Sequence, residues 1–326
     1  MASIIDASQV RRLVSMPDAI DALRDIYAAF AEGAVLEAPR SNLMVPNGFL
    51  RLMAAAWPER GVAGYKEFHR FNGQVRYTYH LFDAENGETL AILDANHLTA
   101  LRTGACGGLA ADLMAAPEAT VLGVIGSGAE ARSQIAAIRA VRPIDRIQVF
   151  SRRAERRERL CAELDGVDAV PFDDPGDALA GAQVIAVATN TGRTGPAFEG
   201  AWLTAPGVHV NSIGSTLPMQ REIDAEVWAR CDRIVIDAGL LLEESGDAIA
   251  AREAGTLRED RVSLLGDVVA GRAPGRTDAA QRTLYKSVGS GVQDLALAIL
   301  AYERAKPVRA ELPSIDEFQT VSVMEA

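Results

Sequence analysis

After Ser15 the chain places apolar residues at Ile20, Leu23, Ile26, Tyr27 and Phe30, the spacing of one helical face. Ser15-Met16-Pro17-Asp18 ahead of them reads as a capping box with proline inside the first turn, and Gly33 predicts the stop. From about Leu50 to Asp94 the pattern changes to short strands. The runs LRLMAAA, VAGYKEFH, VRYTYHLF and TLAILD read as strands, with Asn72-Gly73 and Asn86-Gly87 as hairpin turns. The first third is therefore expected to be an antiparallel meander preceded by a helix.

The segment LTALRTGACGGLAADLMA has helical composition but unusually small residues from Gly104 to Ala111, as expected where a helix packs very close to another backbone. Beyond Thr120 the runs TVLGVIG, RIQVF, AQVIAVAT, VHVNSIG and RIVIDA are short and apolar, with helix-like segments between most of them. That is the pattern of a parallel sheet covered on both faces. At the end, SVGSGVQDLALAILAYERA predicts a glycine-rich loop leading into an amphipathic helix that returns to the first domain.

A length of 326 residues favours two domains, and 48% apolar with 24% charged residues excludes a disordered chain. A net charge of −11 repels phosphate backbones, and only the Arg152–Arg159 stretch is basic, which reads as an exposed helix face. No nucleic-acid partner is expected. The N-terminus lacks a leader pattern and no apolar run is long enough to span a bilayer, so the expected setting is cytoplasmic, without a membrane partner. Three widely spaced cysteines, Cys106, Cys161 and Cys231, suggest neither a disulfide framework nor a zinc site, and read as small buried hydrophobes.

Gly126-Ser127-Gly128-Ala129-Glu130-Ala131 follows an apolar strand and opens a helix, which is the context that gives G-x-G-x-x-A its meaning. The glycines let backbone amides approach a pyrophosphate, and the helix start favours its charge. The expected fold is thus α/β: a Rossmann doubly wound domain over 114–291, and an α+β domain with an antiparallel sheet over 1–113 and 292–326. The next strand ends at Phe150, where an acidic residue would select NAD(H). Ser151, Arg152 and Arg153 stand there instead and suit a 2′-phosphate, so NADP(H) is expected ahead of NAD(H). Thr189 and Asn190 follow another strand and should reach the same crevice.

Lys66 alternates with Val62, Gly64 and Phe68 on one strand face; it reads as a partly desolvated proton-transfer group or as an edge-strand lysine in water. Arg102, one turn after Thr99 at a helix start, suits a carboxylate or a structural ion pair equally. Arg40 is a third cation. Arg76, Thr78 and His80 share a strand face that could line the same pocket, with Tyr77 and Tyr79 facing away; an inward Arg76 would hold a second carboxylate, an outward one a cross-strand acid. His209 reads as a hydrogen-bonded core residue, and Asp294 as a helix-dipole charge without chemistry.

Taken together, Ala38-Pro39-Arg40, Gly64-Tyr65-Lys66, LFDAENGETLAILDANHLTALRTGA, GVIGSGAEARSQ, VHVNSIGS, REID and LYKSVGSGVQDLALA resemble the ornithine cyclodeaminase/mu-crystallin family over nearly the whole chain. The resemblance implies a homodimer in which the α+β domain is the substrate-binding and dimerisation domain. It implies α-amino acids or their imines as substrates, with Arg40, Lys66 and Arg102 on the carboxylate, Lys66 also placed for proton transfer, and Val288 and Gly289 near the nicotinamide.

One departure is informative. Where cyclodeaminase members carry an aspartate for the substrate amino groups, this chain has Thr216, whose neutral hydroxyl cannot take a proton from an ammonium. The expectation is an NAD(P)H-dependent reductase of an imine bearing an α-carboxylate, giving an L-amino or cyclic imino acid. The alternatives are an alanine dehydrogenase-like amino-acid dehydrogenase, an ornithine cyclodeaminase, and a crystallin-like protein that binds cofactor or ligand without turnover.

Overall fold

The computed structural model describes residues 2–192 and 194–305, with the backbone of 309–310. Ser15 caps the helix Met16–Ala31 by accepting from the Asp18 amide while Asp18 accepts from the Ser15 amide, the reciprocal box expected. The helix buries Ala19, Ile20, Leu23, Ile26 and Tyr27, and Gly33 follows it at φ +79°, a backbone angle that favours glycine. A short helix, Ala7–Leu13, precedes it under an Asp6 cap.

The meander forms the strands Gly48–Trp57, Val62–Phe71, Gln74–Asp83 and Thr89–Asp94, each antiparallel to the next. Asn72 and Gly73 both take positive φ, as a two-residue hairpin turn needs. Three further strands have no apolar alternation to announce them. Ala2–Ile5 joins the sheet parallel to Thr89–Asp94, while Leu36–Glu37 and the wholly exposed Ser41–Val45 pair with Gly48–Trp57.

The second sheet has eight parallel strands: in spatial order Asp168–Phe172, Arg146–Phe150, Val121–Ile125, Val184–Val187, His209–Ser212, Thr283–Lys286, Arg233–Ile236 and Val262–Leu264. The five expected strands are all present. The unforeseen ones are two edge strands, one carrying Pro171 and one only three residues long, and Thr283–Lys286, whose buried lysine disguises it. Chain order reverses between Val121–Ile125 and Val184–Val187, so a crevice opens at the carboxyl ends of these two strands.

Two helices join the halves. Ala95–Met114 lies against Ala129–Val141, the helix that opens at the glycine-rich turn, and the small residues are what permit the approach. A Cβ on Gly104 would stand 2.6 Å from the Ser133 carbonyl oxygen, and one on Gly107 would meet the Gln134 amide. Gly291–Arg304 buries Val292, Leu295, Leu297 and Ala298 in one core with Tyr79, Leu81 and Leu93, so the last helix returns to the first sheet. Of the expected 292–326 segment, 306–308 and 311–326 lie outside the described residues.

Cys106 and Cys231 are buried, but Cys161 is only half-buried, because its helix lies over an edge of the second sheet. No grouping of three or more metal-ligating side chains occurs among the described residues, and no described helix is long and apolar enough to cross a membrane.

Candidate active site

A cavity of about 900 Å³ opens at the strand-order reversal. Gly126–Glu130 form one wall, Phe150–Arg153 the tip of the next strand, and Thr189, Asn190 and Gly214 the opposite side. Gly126 takes φ +130° with its α-carbon packed toward the Ala188 carbonyl, a place no side chain could fill. Gly128 caps the helix, and a Cβ there would meet nothing within 4 Å: its bareness faces the open cavity. Ser127 Oγ donates to Ser151 Oγ at 3.0 Å, which ties the turn to the neighbouring strand tip. Arg152 and Arg153 are exposed on the cavity rim with Arg156, whereas Arg157 turns inward to the Ser151 carbonyl and Asp173.

The cavity wall at Thr189 and Gly214 is fixed from below by Glu222. Its carboxylate accepts from the Thr189 amide (2.7 Å) and hydroxyl, from the Gly214 amide (2.6 Å) and from Ser212 Oγ. Lys286 lies 3.8 Å from Glu222 and 3.2 Å from Asp247, all three fully shut from solvent. Burial raises the Glu222 carboxyl and Lys286 pulls it back down. None of these three is recognisable from spacing, since Glu222, Asp247 and Lys286 lie on separate elements.

Above the crevice, on the first sheet, Lys66 is 1% exposed and its Nζ lies 2.7 Å from Asp294 Oδ2. Asp294 Oδ1 accepts from Arg102 Nε at 3.2 Å, and Arg102 Nη1 donates to Gln293 Oε1 at 2.6 Å. Burial pushes the Lys66 ammonium down to about 8; Asp294 opposes the fall and Arg102 adds to it. Asp294 is therefore the anion between the two cations, rather than a helix-dipole charge without chemistry. The one sequence sign was an aspartate on the apolar side of the final helix, one position before Leu295.

Arg40 approaches from the other side. Its Nε stands 2.8 Å from Glu244, and its Nη2 donates to the Gly289 carbonyl at 2.9 Å. Val288 and Gly289 give their amides to Asp237, which also accepts from Ser287 Oγ and from the Gln293 amide nitrogen, itself also a donor to the Tyr27 hydroxyl. Gly289 takes φ +80°, and a Cβ on it would stand 2.6 Å from Arg102 Nη1. The glycine-rich loop is thus threaded between the two arginines. Glu130, in the first turn of the crevice helix, shuts one carboxylate oxygen away from solvent without a partner; burial raises its carboxyl, while Arg102 and Lys66 lower it.

Arg76 is a correction. Lys66 pairs directly with Tyr79 across the hairpin, and directly paired residues share a face, so Tyr77 and Tyr79 stand beside Lys66. Arg76, Thr78 and His80 point to the opposite face, where Arg76 is exposed and His80 stacks on Tyr65. Thr216 lies beyond Gly214 with its amide bonded to Gln220, and makes no hydrogen bond to the Lys66–Asp294 cluster. His209 is the core residue expected: both ring nitrogens are bonded, to Thr283 and Asn211, and burial lowers its pKa to about 3.

Residues 2–308 match the ornithine cyclodeaminase/mu-crystallin family. The chain belongs to that family. Among solved structures it is similar to a Thermococcus litoralis Delta(1)-pyrroline-2-carboxylate reductase in complex with NADH and L-proline, at 28% identity and TM-score 0.88 over 93% of this chain and 97% of that one. An archaeal alanine dehydrogenase dimer with bound NAD matches at 29% identity and TM-score 0.86, covering 93% and 95%. The iminosuccinate reductase of Paracoccus denitrificans in complex with NAD+ matches at 26% identity and TM-score 0.85, covering 94% and 96%.

Proposed function

We propose that this family member is a nicotinamide-dependent reductase of imines that carry a carboxylate on the imine carbon. The observation that carries the reading is the buried cation cluster of Lys66, Arg102 and Arg40 beside a dinucleotide crevice. Two arginines and a lysine, ion-paired with Asp294 and Glu244, gather donor groups fit for a substrate carboxylate. The relatives that reduce imines or oxidise alanine all act next to a carboxylate, which agrees with it.

The crevice residues fit a dinucleotide: the bare Gly128, Gly126 with its positive φ and the helix start at Ala129 would hold its pyrophosphate. The bound nicotinamide supplies the hydride. Everything else falls to the chain. Arg102 and Arg40 orient the substrate carboxylate, and Lys66, with a pKa near 8, holds a proton that the nitrogen can receive during reduction. Amino-acid oxidation is the same chemistry reversed, and needs Lys66 in its neutral form.

NADPH is the preferred donor in this reading, since Ser151, Arg152 and Arg153 offer a hydroxyl and two guanidinium groups where a ribose-binding acid would stand. Arg153→Ala should lower kcat/KM for NADPH at least tenfold and leave NADH nearly unchanged; a wild-type preference for NADH would reject it. The protein is also read as a homodimer formed through the first sheet, where Leu43, Leu52 and Phe71 are exposed on one face. Sedimentation of a monomer at micromolar concentration would reject that.

The primary test is oxidation of NADPH and NADH with pyrroline-2-carboxylate, piperideine-2-carboxylate, and pyruvate, glyoxylate or oxaloacetate supplied with ammonia or methylamine. Turnover of one member, lost in Lys66→Ala with cofactor binding retained, is the expected result. Tight cofactor binding with no turnover of any of them would reject the reductase reading in favour of a ligand-binding role.

A further inference from the structure

Arg51 sits on the strand Gly48–Trp57, where it pairs directly with Phe68 while Met53 pairs with Lys66. It therefore shares the Lys66 face, two residues or roughly 7 Å along the strand. It is 6% exposed, and unlike the other cations of this site it has no carboxylate partner among the described residues. Its Nε donates to Asn42 Oδ1 at 2.6 Å, and its two terminal nitrogens make no hydrogen bond to a described residue. Its aromatic neighbours are the Phe49 ring and the stacked Phe68–Tyr77 pair.

A buried guanidinium without a counter-charge is costly unless something else completes it. Burial, and then the charge of Arg40, lowers the Arg51 pKa to about 10, and Glu244 opposes the fall without forming an ion pair with it. Asn42 holds only the Nε corner, which leaves the end of the fork free to receive two oxygens. We propose that Arg51 binds a second carboxylate on the substrate side chain, so that the enzyme's substrate is the imine of a short dicarboxylic acid. This rests on the imine-reductase reading of the same site. It moves the second-anion role from the exposed Arg76 to a buried residue on the correct face.

The test compares oxaloacetate and 2-oxoglutarate with pyruvate, each supplied with ammonia, for wild type, Arg51→Met and Arg51→Lys. One of the dicarboxylates should be favoured over pyruvate by at least a hundredfold in kcat/KM, and Arg51→Met should collapse that ratio chiefly through KM, with Arg51→Lys between. Preference for pyruvate in an active wild type, or an equal loss on both substrates in a folded Arg51→Met, would overturn the inference and leave imine reduction standing. Failure on every imine would remove both. Should Arg51→Met not fold, inhibition of the wild type decides: malonate or succinate must compete with the imine far better than acetate or propionate.

Discussion

Asp294 lies 2.7 Å from Lys66 and 3.2 Å from Arg102, so one buried carboxylate from the last helix holds together a strand lysine and a helix arginine more than 190 residues away in sequence. It keeps Lys66 more basic than burial alone would allow. In Asp294→Asn the lysine loses that support, and about 3 kcal/mol of stability should go with it, as for other buried ion pairs broken on one side. The reductive kcat/KM should fall by a factor of at least a hundred, and its alkaline limb should move to lower pH. Unchanged limbs in the pH profile would refute the coupling.

In the intact enzyme the Lys66 proton titrates near pH 8. Imine reduction, which uses the protonated amine, should decline as pH rises through that value. The reverse oxidation of the amino acid should climb over the same interval. A reductive rate that stays flat from pH 7 to pH 10 would take Lys66 out of proton transfer.

The glycines make opposite predictions about stability and binding. Gly104→Ala would drive a methyl against the Ser133 backbone, costing about 1–3 kcal/mol in a urea titration. Gly128→Ala meets no protein atom and should change stability by less than about 1 kcal/mol, while weakening NADPH binding by an order of magnitude or more. Equal stability losses in the two variants would contradict the packing described.

His209 makes the fold acid-sensitive. Its folded pKa of about 3 lies below the ordinary 6.5, so its contribution to stability is full above pH 6.5 and is lost as pH falls toward 3. A His209→Gln variant is less stable at neutral pH, but its stability should decline less between pH 6.5 and 4 than that of the wild type. Parallel curves would mean that His209 titrates normally in the folded state.

Where a residue's role follows from its own element, the sequence was readable. Alternation isolates Lys66 and strand-turn-helix context marks Gly126 and Gly128, whereas Arg102, expected beside the free amides of a helix start, lies two turns inside Ala95–Met114, because Asp94 caps that helix earlier than the sequence suggests. Asp294, Glu222, Asp247 and Lys286 act only through partners brought in from distant elements, and nothing in their own neighbourhoods announces those partners. Arg76 shows another limit. Alternation groups residues into two faces within a strand, but which face of Gln74–Asp83 joins Lys66 depends on hairpin register, and the pairing of Lys66 with Tyr79 selected the face opposite to Arg76. Arg51 is masked by the apolar residues around it on its own strand.

The close seating of Ala95–Met114 on Ala129–Val141 has one more consequence. Arg102 lies two residues before Gly104 on the first helix, and the second begins at the glycine-rich turn, so the proposed substrate anchor and the proposed phosphate cradle belong to one closely packed block. A change of substrate length cannot be absorbed by sliding one half of the molecule against the other. It has to be written into the wall that faces this block, the strand carrying Arg51 and Met53, which makes that wall the place where relatives of identical architecture would diverge in what they accept, and where a designer should begin.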